Sequence, residues 1–390
     1  MKIAWITEKT LDTSVDHATW TEMTRLLLAR GHDVRLYAGF RQRRDPFGLE
    51  GSIHYLPSIK RAGLGWLSFG VSMFFLLFWL CFIQRPDVIL VHPFGLTSFW
   101  PYVWLRRWRL IRSKWVLDIR TLPIAVPGWR GRFEAWEFEK ALTLARDCMD
   151  GITVITPFMK KQLVDQFRLD PAKVGIWTSG APETWLEANT EAQEKGRQHR
   201  QALGLENAFI VFYHGTMIPN RGLDHLLLAF DEIRSELPDA HLVYLGGGPA
   251  RAGLEQMTDK LDCRDRVHFF GSVPHSEVRS YVEMADIGAV PLPDRMEWRV
   301  SSPIKLMEYL ALGKAVILSD IEAHRDVVGE RPLAFFHTPG DVGDLAEAIR
   351  KAYARRSHLT EWGTGGRQEV AARYTWAIQA GELEAFLEAV

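Results

Sequence analysis

Lys305 and Glu308 stand three residues apart in SSPIKLMEYLALGKAVILSD, residues 301–320. On a helix that spacing puts an ammonium and a carboxylate on one face, roughly 4.5 Å apart along the axis. Ser302 reads as an N-cap and Pro303 as the first helical residue, where its missing N–H costs nothing. The apolar run continues to Leu312, Gly313 supplies the stop, and AVIL at 315–318 reads as a short buried strand. A helix start offers unpaired N–H groups and partial positive charge, which suits a phosphate. With the ammonium of Lys305 added, such a start could hold a diphosphate, and Glu308 the hydroxyls of the adjoining ribose. Read alone, the pair is equally that of a buried helix with a surface ion pair. A further cation stands in FIVFYHGTMIPNRGLDHLLLAF, residues 209–230: a strand, a turn opening at Gly215, then Arg221 and Gly222 before a helix. An arginine forks onto two phosphate oxygens and could stabilise a leaving nucleoside diphosphate. A purely structural arginine at a helix start is disfavoured by the dipole, which argues for a functional one.

Two further segments extend the pattern, HLVYLGGGP at 241–249 and VHFFGSVPHSEVRSYVEMADIGAVP at 267–291. With them, most of residues 209–328 resembles the retaining, nucleotide-sugar-dependent glycosyltransferases of family 4, motif order and spacing kept. Pro303, Lys305, Glu308 and Tyr309 match that family's Pro-x-Lys-x-x-Glu-Tyr helix. The resemblance implies an α/β chain of the GT-B fold, two Rossmann-like domains with parallel sheets facing across a cleft. It implies catalytic roles for Arg221, Lys305 and Glu308, the last on the ribose. It implies donor contacts from Gly215, Thr216, Ser301, Ser302, Pro303 and Ile304, and a base read by the backbone of Val273 in GSVP. The implied reaction is metal-independent and retains anomeric configuration, the leaving phosphate helping to deprotonate the acceptor hydroxyl. No cofactor is implied beyond the nucleotide diphosphate sugar as donor substrate, and the sequence carries no Asp-x-Asp or His/Cys metal pattern. Three departures stand out: Arg221 where lysine is usual, Thr216 where a second basic residue is usual, and Val300 where the first of two glutamates eight apart is usual. Glu297 is near but out of register by a helical turn. Thr216 leaves the diphosphate grip to Arg221, Lys305 and backbone amides, and the absence of the first glutamate at Val300 points to altered recognition of the donor sugar.

The elements that must position these groups follow from composition and periodicity. The 390 residues suffice for two domains, and 47% hydrophobic with 24% charged residues is a globular composition. KIAWIT, HDVRLYAG, RPDVILVHP, SKWVLDIR and DGITVITP alternate with helical stretches, the first at about His17 to Arg30, which argues a parallel sheet with helices on both faces. The expected division is 1–185, joined by a C-terminal helix at 374–390 that crosses back, and 186–373. A polar helical connector containing TEAQEKGRQHRQ lies between. Ligands in such sheets lie at the carboxyl ends of strands. There the first half offers Thr13, Ser14 and His17 in its first loop as contacts to acceptor or diphosphate and His92 in LVHPFG as a further acceptor or sugar contact, and the resemblance places polar contacts to acceptor or donor sugar at Asp118 and Arg120 in VLDIR. Asp118 and Arg120 also read as a structural pair shaping their loop. Cys81, Cys148 and Cys263 lack metal spacing and read as free thiols in a reducing compartment.

The net charge of −1 hides a basic first half, +8 over residues 1–185, against −9 over the remainder. Ala62 to Gln84 is an uncharged run nearly long enough to span a bilayer. Strands of one sheet flank it, which argues against a span; it reads either as a fully buried core helix or, in preference, as a helix partly packed on the sheet and partly dipped into the lipid interface. Arg41, Arg43, Arg44, Lys60, Arg61 and Arg85 flank it. FWPYVWLRRWRLIRSK, 99–114, mixes Trp and Arg as lipid-facing girdles do. An anionic membrane surface is therefore an expected partner, nucleic acid is not, and the expected place is cytoplasmic, peripheral to the inner face of the membrane. A lipid-linked or glycan acceptor fits that place. A dinucleotide oxidoreductase is excluded, since KIAWITEKTL has no glycine at the first strand turn. A non-catalytic sugar-nucleotide-binding partner of a membrane complex, or a GT-B-type sugar-nucleotide epimerase, remain open alternatives.

Overall fold

The computed structural model describes residues 1–8, 11, 17–39, 48–49, 51–57, 64–93, 96–123 and 128–390. Thr13, Ser14, Arg41, Arg43, Arg44, Lys60 and Arg61 lie outside the described residues. The chain divides into two units, Met1–Thr178 with Trp376–Val390, and Ser179–Thr375.

The first unit runs β1 (Lys2–Thr7), α1 (His17–Ala29), β2 (Asp33–Gly39), β3 (Ile53–Leu56), α2 (Leu64–Trp79), β4 (Val88–Val91), α3 (Trp100–Arg107), β5 (Lys114–Ile119), α4 (Trp129–Cys148), β6 (Gly151–Val154), α5 (Pro157–Phe167) and β7 (Val174–Ile176). Among the described residues the strands form one parallel sheet in the order β3-β2-β1-β4-β5-β6-β7. The direction of strand succession reverses between β1 and β4, the place where α/β sheets open a crevice. Strands β4 and β6 are buried throughout, as a parallel sheet covered on both faces requires.

Helix α2 continues through one π-type turn, Leu80–Gln84, and stops at Arg85 in the left-handed region (φ 49°). Phe69, Met73, Leu76, Leu77 and Leu80 are buried, while Val71, Phe74, Phe75, Phe78 and Ile83 are exposed. Helix α3 lies beside it: Tyr102 donates to the Phe74 carbonyl (2.7 Å) and Ser98 to that of Gly70 (3.0 Å). Trp100, Trp104, Trp108 and Leu110 extend the exposed apolar surface. Arg107, Arg109, Arg112 and Lys114 are exposed in the same stretch. Arg106 is different: it donates to the Cys148 carbonyl (2.8 Å), pairs with Asp150 and lies over Trp115 (4.9 Å). It ties α3 to the end of α4 and does not belong with its exposed neighbours. Among the described residues no helix is long and apolar enough to cross a membrane.

The second unit runs α6 (Thr190–Leu203), β8 (Phe209–His214), α7 (Leu223–Glu232), β9 (Ala240–Leu245), α8 (Arg251–Thr258), β10 (Val267–Phe270), α9 (His275–Glu283), β11 (Ile287–Val290), α10 (Met296–Arg299), α11 (Ile304–Ala311), β12 (Ala315–Ser319), α12 (Glu322–Val328), β13 (Ala334–His337), α13 (Val342–Ala354) and α14 (Leu359–Arg373). Its sheet is parallel in the order β10-β9-β8-β11-β12-β13, with the reversal between β8 and β11. Alternation along β8 feeds two cores. Phe209, Val211 and Tyr213 join α7 and α13, while Ile210 and Phe212 join α11 on the other face. The polar run expected as a connector is α6, which packs on α9 within this unit. The chain leaves the first unit at Thr178, earlier than the expected 185. Ser179 bonds Ser302, Ala181 bridges to Thr375, and Trp185 stacks on His275.

The last helix, α15 (Trp376–Ala389), packs in the first unit against α1 and β7. Gln379 accepts from the Thr178 N–H (2.6 Å), and Glu384 takes Arg30 (2.7 Å) and His32 (2.6 Å). The Phe386 ring fills the space that side chains at Gly151 and Gly175 would need.

Candidate functional site

The candidate site lies in the second unit at the β8/β11 reversal, where α11 starts. Two glycines let the turns close there. Gly222, at φ 67°, sits where a Cβ would stand 2.0 Å from the Pro291 carbonyl oxygen, so the turn after β8 touches the segment after β11. Gly246, at φ 137°, sits where a Cβ would stand 2.2 Å from the Gly215 carbonyl oxygen, so the GGGP turn seats the turn after β8 from its other side.

Helix α11 is seated by Tyr309. Its ring lies against Gly288 of β11, and its hydroxyl donates to the Phe212 carbonyl (3.2 Å) and accepts from the His214 N–H (3.1 Å). Leu306, Met307, Leu310 and Ala311 are fully buried beside it. The helix begins at Ile304, with Pro303 extended before it and no side chain capping it. Ser302 is therefore not the N-cap that the sequence suggests. Its hydroxyl accepts from the Ser179 N–H (3.1 Å) and its carbonyl from Ser179 Oγ (2.8 Å), so it ties in the segment entering the unit. Ser301 donates to the Trp298 carbonyl (2.8 Å).

Seated this way, the first turn of α11 reaches the carboxyl end of β8 with two buried charges, Lys305 at 7% and Glu308 at 3% exposure. They serve opposite faces of that strand end. Lys305 donates to the Tyr213 hydroxyl (2.9 Å). Glu308 lies between two imidazoles, Oε1 at 2.7 Å from His275 Nε2 and Oε2 at 3.3 Å from His214 Nε2. Burial alone would push the Glu308 carboxyl up, but the His275 hydrogen bond and the charges of His214, His275 and Lys305 together hold it below the usual range. It is a carboxylate ready to accept. Burial pushes His214 down to about 4, so it is neutral near pH 7. His275 opens α9, and its ring stacks on Trp185 (5.6 Å between centroids, 15°).

Arg221 stands in the turn after β8, its guanidinium 5.4 Å from the centre of the Trp298 ring and its Nε buried without a hydrogen-bond partner among the described residues. Its charge acts on Tyr213. The structure thus brings Gly215, Thr216, Arg221, Lys305 and Glu308 to one strand end. Val273 lies in the turn before α9, half-buried against the core that holds α11. Val300 is buried, so an apolar side chain fills the place of the missing glutamate. Glu297 is drawn to Arg295 (2.6 Å). Tyr213, His214, Trp185 and His275 escape a reading of the sequence, because aromatic residues inside or beside apolar strands look like core.

In the first unit His17 opens α1. His92 follows β4, buried, with Nδ1 at 2.7 Å from Glu8. Asp118, in β5, is buried and accepts from Thr153 (2.8 Å). Burial raises its carboxyl above the usual range against the pull of Arg120. Arg120 donates to the Trp177 carbonyl (2.8 Å) and lies 3.5 Å over its ring. Asp118 and Arg120 each have such an internal partner. Among the described residues no group of three or more His, Cys, Asp or Glu is placed to hold a metal ion.

Two family descriptions match the chain, "Glycosyl transferase 4-like domain" over residues 17–176 and "Glycosyl transferases group 1" over residues 195–369. Among similar proteins are an alpha-D-kanosaminyltransferase of Streptomyces kanamyceticus, 25% identical over 52% of this chain and 50% of the relative, and a GDP-mannose-dependent alpha-(1-6)-phosphatidylinositol monomannoside mannosyltransferase of Mycobacterium tuberculosis, 28% identical over 44% and 45%. The chain spans about half the length of these curated relatives in the matches. Among solved structures, Anabaena HepE in complex with UDP and glucose superposes with a TM-score of 0.77 over the whole of both chains at 14% identity, a likeness of fold. Taken together, the two matches cover both units, and the chain belongs to the glycosyltransferases of the family-4-like group, with the GT-B fold.

Proposed function

We propose that the second unit binds a nucleoside diphosphate sugar and that the chain transfers the sugar to an acceptor hydroxyl with retained configuration. The observation that carries this reading is the pairing of buried Lys305 and Glu308 on one turn of α11, with Arg221 in the turn after β8. Cations there match a diphosphate and the carboxylate a ribose diol. In the reaction a bond forms between the acceptor oxygen and the anomeric carbon as the bond from that carbon to the phosphate oxygen breaks. Arg221 and Lys305 stabilise the charge on the departing diphosphate, which takes the hydroxyl proton on the face it leaves. Gly215, Thr216 and Ser301 to Ile304 supply backbone around the diphosphate, and Val273 the backbone that reads the base. We assign His17, His92, Asp118 and Arg120 to acceptor or sugar contacts, and the apolar, basic surface of α2 and α3 to attachment at an anionic membrane carrying a glycan or lipid-linked acceptor.

The test is calorimetry with UDP, GDP and ADP. Glu308→Gln keeps size but removes charge-assisted bonds worth about 1.5–3 kcal/mol each, so affinity falls about ten- to a hundredfold. The loss vanishes with the 2′,3′-dideoxy nucleotide. Arg221→Ala weakens the diphosphates and spares the nucleoside. If both variants bind and transfer as the parent does, the site is misplaced. Thr216 and the buried Val300 favour a second reading, a sugar-nucleotide binder without catalysis. Release of nucleoside diphosphate from a panel of donors with acceptor present separates the two.

A further inference from the structure

We propose that Tyr213 is a positioning residue of the donor site, its hydroxyl fixing Lys305 and the 215–216 turn where the diphosphate binds. This rests on the donor reading above. Tyr213 is fully buried at the end of β8, a place where phenylalanine would satisfy the core. Its hydroxyl has one proton, and that proton goes to the Thr216 carbonyl (3.0 Å). The lone pairs are thereby turned to Lys305 Nζ at 2.9 Å, which also lies 4.0 Å from the ring centre. A fixed acceptor of this kind holds a buried ammonium at one point, which a methylene chain with four rotatable bonds does not do for itself.

The neighbours complete the argument. A Cβ on Gly215 would stand 3.0 Å from Lys305 Nζ, so the glycine leaves the room in which the ammonium sits. Arg221 is the second cation near the phenol, and its charge opposes the upward push of burial on the Tyr213 hydroxyl. The ring itself is braced: it packs on Tyr244 (6.0 Å between centroids), whose hydroxyl donates to the Leu223 carbonyl (2.8 Å) at the start of α7. One phenol thus joins a lysine from α11, an arginine from the turn after β8, and the carbonyl of that same turn. The cations are set before a ligand arrives, and that lowers the ordering cost of binding one. Tyr213 acts through Lys305 and the turn rather than on the reacting atoms.

The experiment compares Tyr213→Phe with the parent by thermal melting and by calorimetry with UDP, GDP and ADP and with uridine, guanosine and adenosine. The expected result is an unchanged melt, about tenfold weaker binding of the diphosphate that the parent binds, and unchanged binding of its nucleoside. In a Lys305→Gln background the same change should have little further effect, because the group it positions is gone. Equal losses for diphosphate and nucleoside, no loss at all, or full additivity with Lys305→Gln would overturn the proposal. A parent that binds none of the three diphosphates, or a silent Glu308→Gln, would instead bring down the donor reading on which it stands. A silent Tyr213→Phe beside a damaging Glu308→Gln would remove this inference alone.

Discussion

Glu308 has an imidazole at each oxygen, so a ribose diol that takes this carboxylate must displace one of them or share with it. His214 cannot leave, being buried in β8. His275 can: its side chain is 42% exposed at the start of α9. Its hydrogen bond to the carboxylate is charge-assisted and worth about 1.5 kcal/mol, close to one decade in affinity. His275→Ala should therefore tighten nucleoside diphosphate binding by roughly three- to tenfold and leave the 2′,3′-dideoxy analogue unchanged, as read by calorimetry. Weaker binding would mean that the imidazole stays and touches the nucleotide. The charged half of this site is legible in the sequence, because Lys305, Glu308 and Arg221 are ionic groups at helix starts. The aromatic half is not. Tyr213 and His214 sit in FIVFYH, where residue type says core, and only the tertiary structure turns their polar atoms toward α11. Ser302 misleads for a related reason: a serine before a helix reads as a cap, but Ser179 claims its hydroxyl.

Helices α2 and α3 pose the element-scale question, since their surface keeps Phe75 at 66%, Trp104 at 60% and Trp108 at 69% exposure. Arg107, Arg109 and Arg112 beside them supply positive charge, and no acid stands between Phe99 and Lys114. On the membrane attachment proposed above, this face would lie in the lipid interface with aromatic rings at headgroup depth. The protein should bind vesicles of phosphatidylcholine with phosphatidylglycerol more tightly than phosphatidylcholine alone, less so as salt rises. Arg107→Gln with Arg109→Gln should weaken that binding by about 1 kcal/mol per charge, and Phe75→Ser should weaken it for both lipids. Arg106 must be kept, because it holds α3 to Asp150. Indifference to anionic lipid in sedimentation, or self-association through this face instead, would refute the assignment. Element reading from sequence succeeds and fails along the same line of burial. The interior strands β1, β4, β5, β8 and β12 are read from apolar runs and are found, whereas β11, four residues long, is not singled out as a strand. Strands β3, β7 and β13 are missed. Each is three or four residues long and lies at a sheet edge, where one side has no strand partner among the described residues and the apolar signal is short.

On the scale of the whole molecule the two units should part company in acid. Burial holds His214 and His324 of the second unit down to about 4, and His241, less completely buried, to about the same value. An unfolded imidazole takes its proton near 6.5. Between about pH 6.5 and 4 the unfolded chain therefore binds more protons than the folded one, and stability falls as pH falls through that window. For His214 and His324 an imidazole held at about 4 instead of 6.5 corresponds to roughly 3 kcal/mol each once pH drops below 4. That is a large part of the stability of an ordinary domain. Glu308 adds to the same trend, since its depressed carboxyl contributes stability above its unfolded value and loses it in acid. Amide hydrogen exchange at pH 7.5 and 5.0, corrected for intrinsic rates, reads the units separately. Protection in β8, β12 and α12 should drop more than in β1, β4 and β5. His324→Gln, which cannot titrate, should flatten part of the drop around β12. Equal losses in both sheets would show that these histidines are not what sets the acid limit.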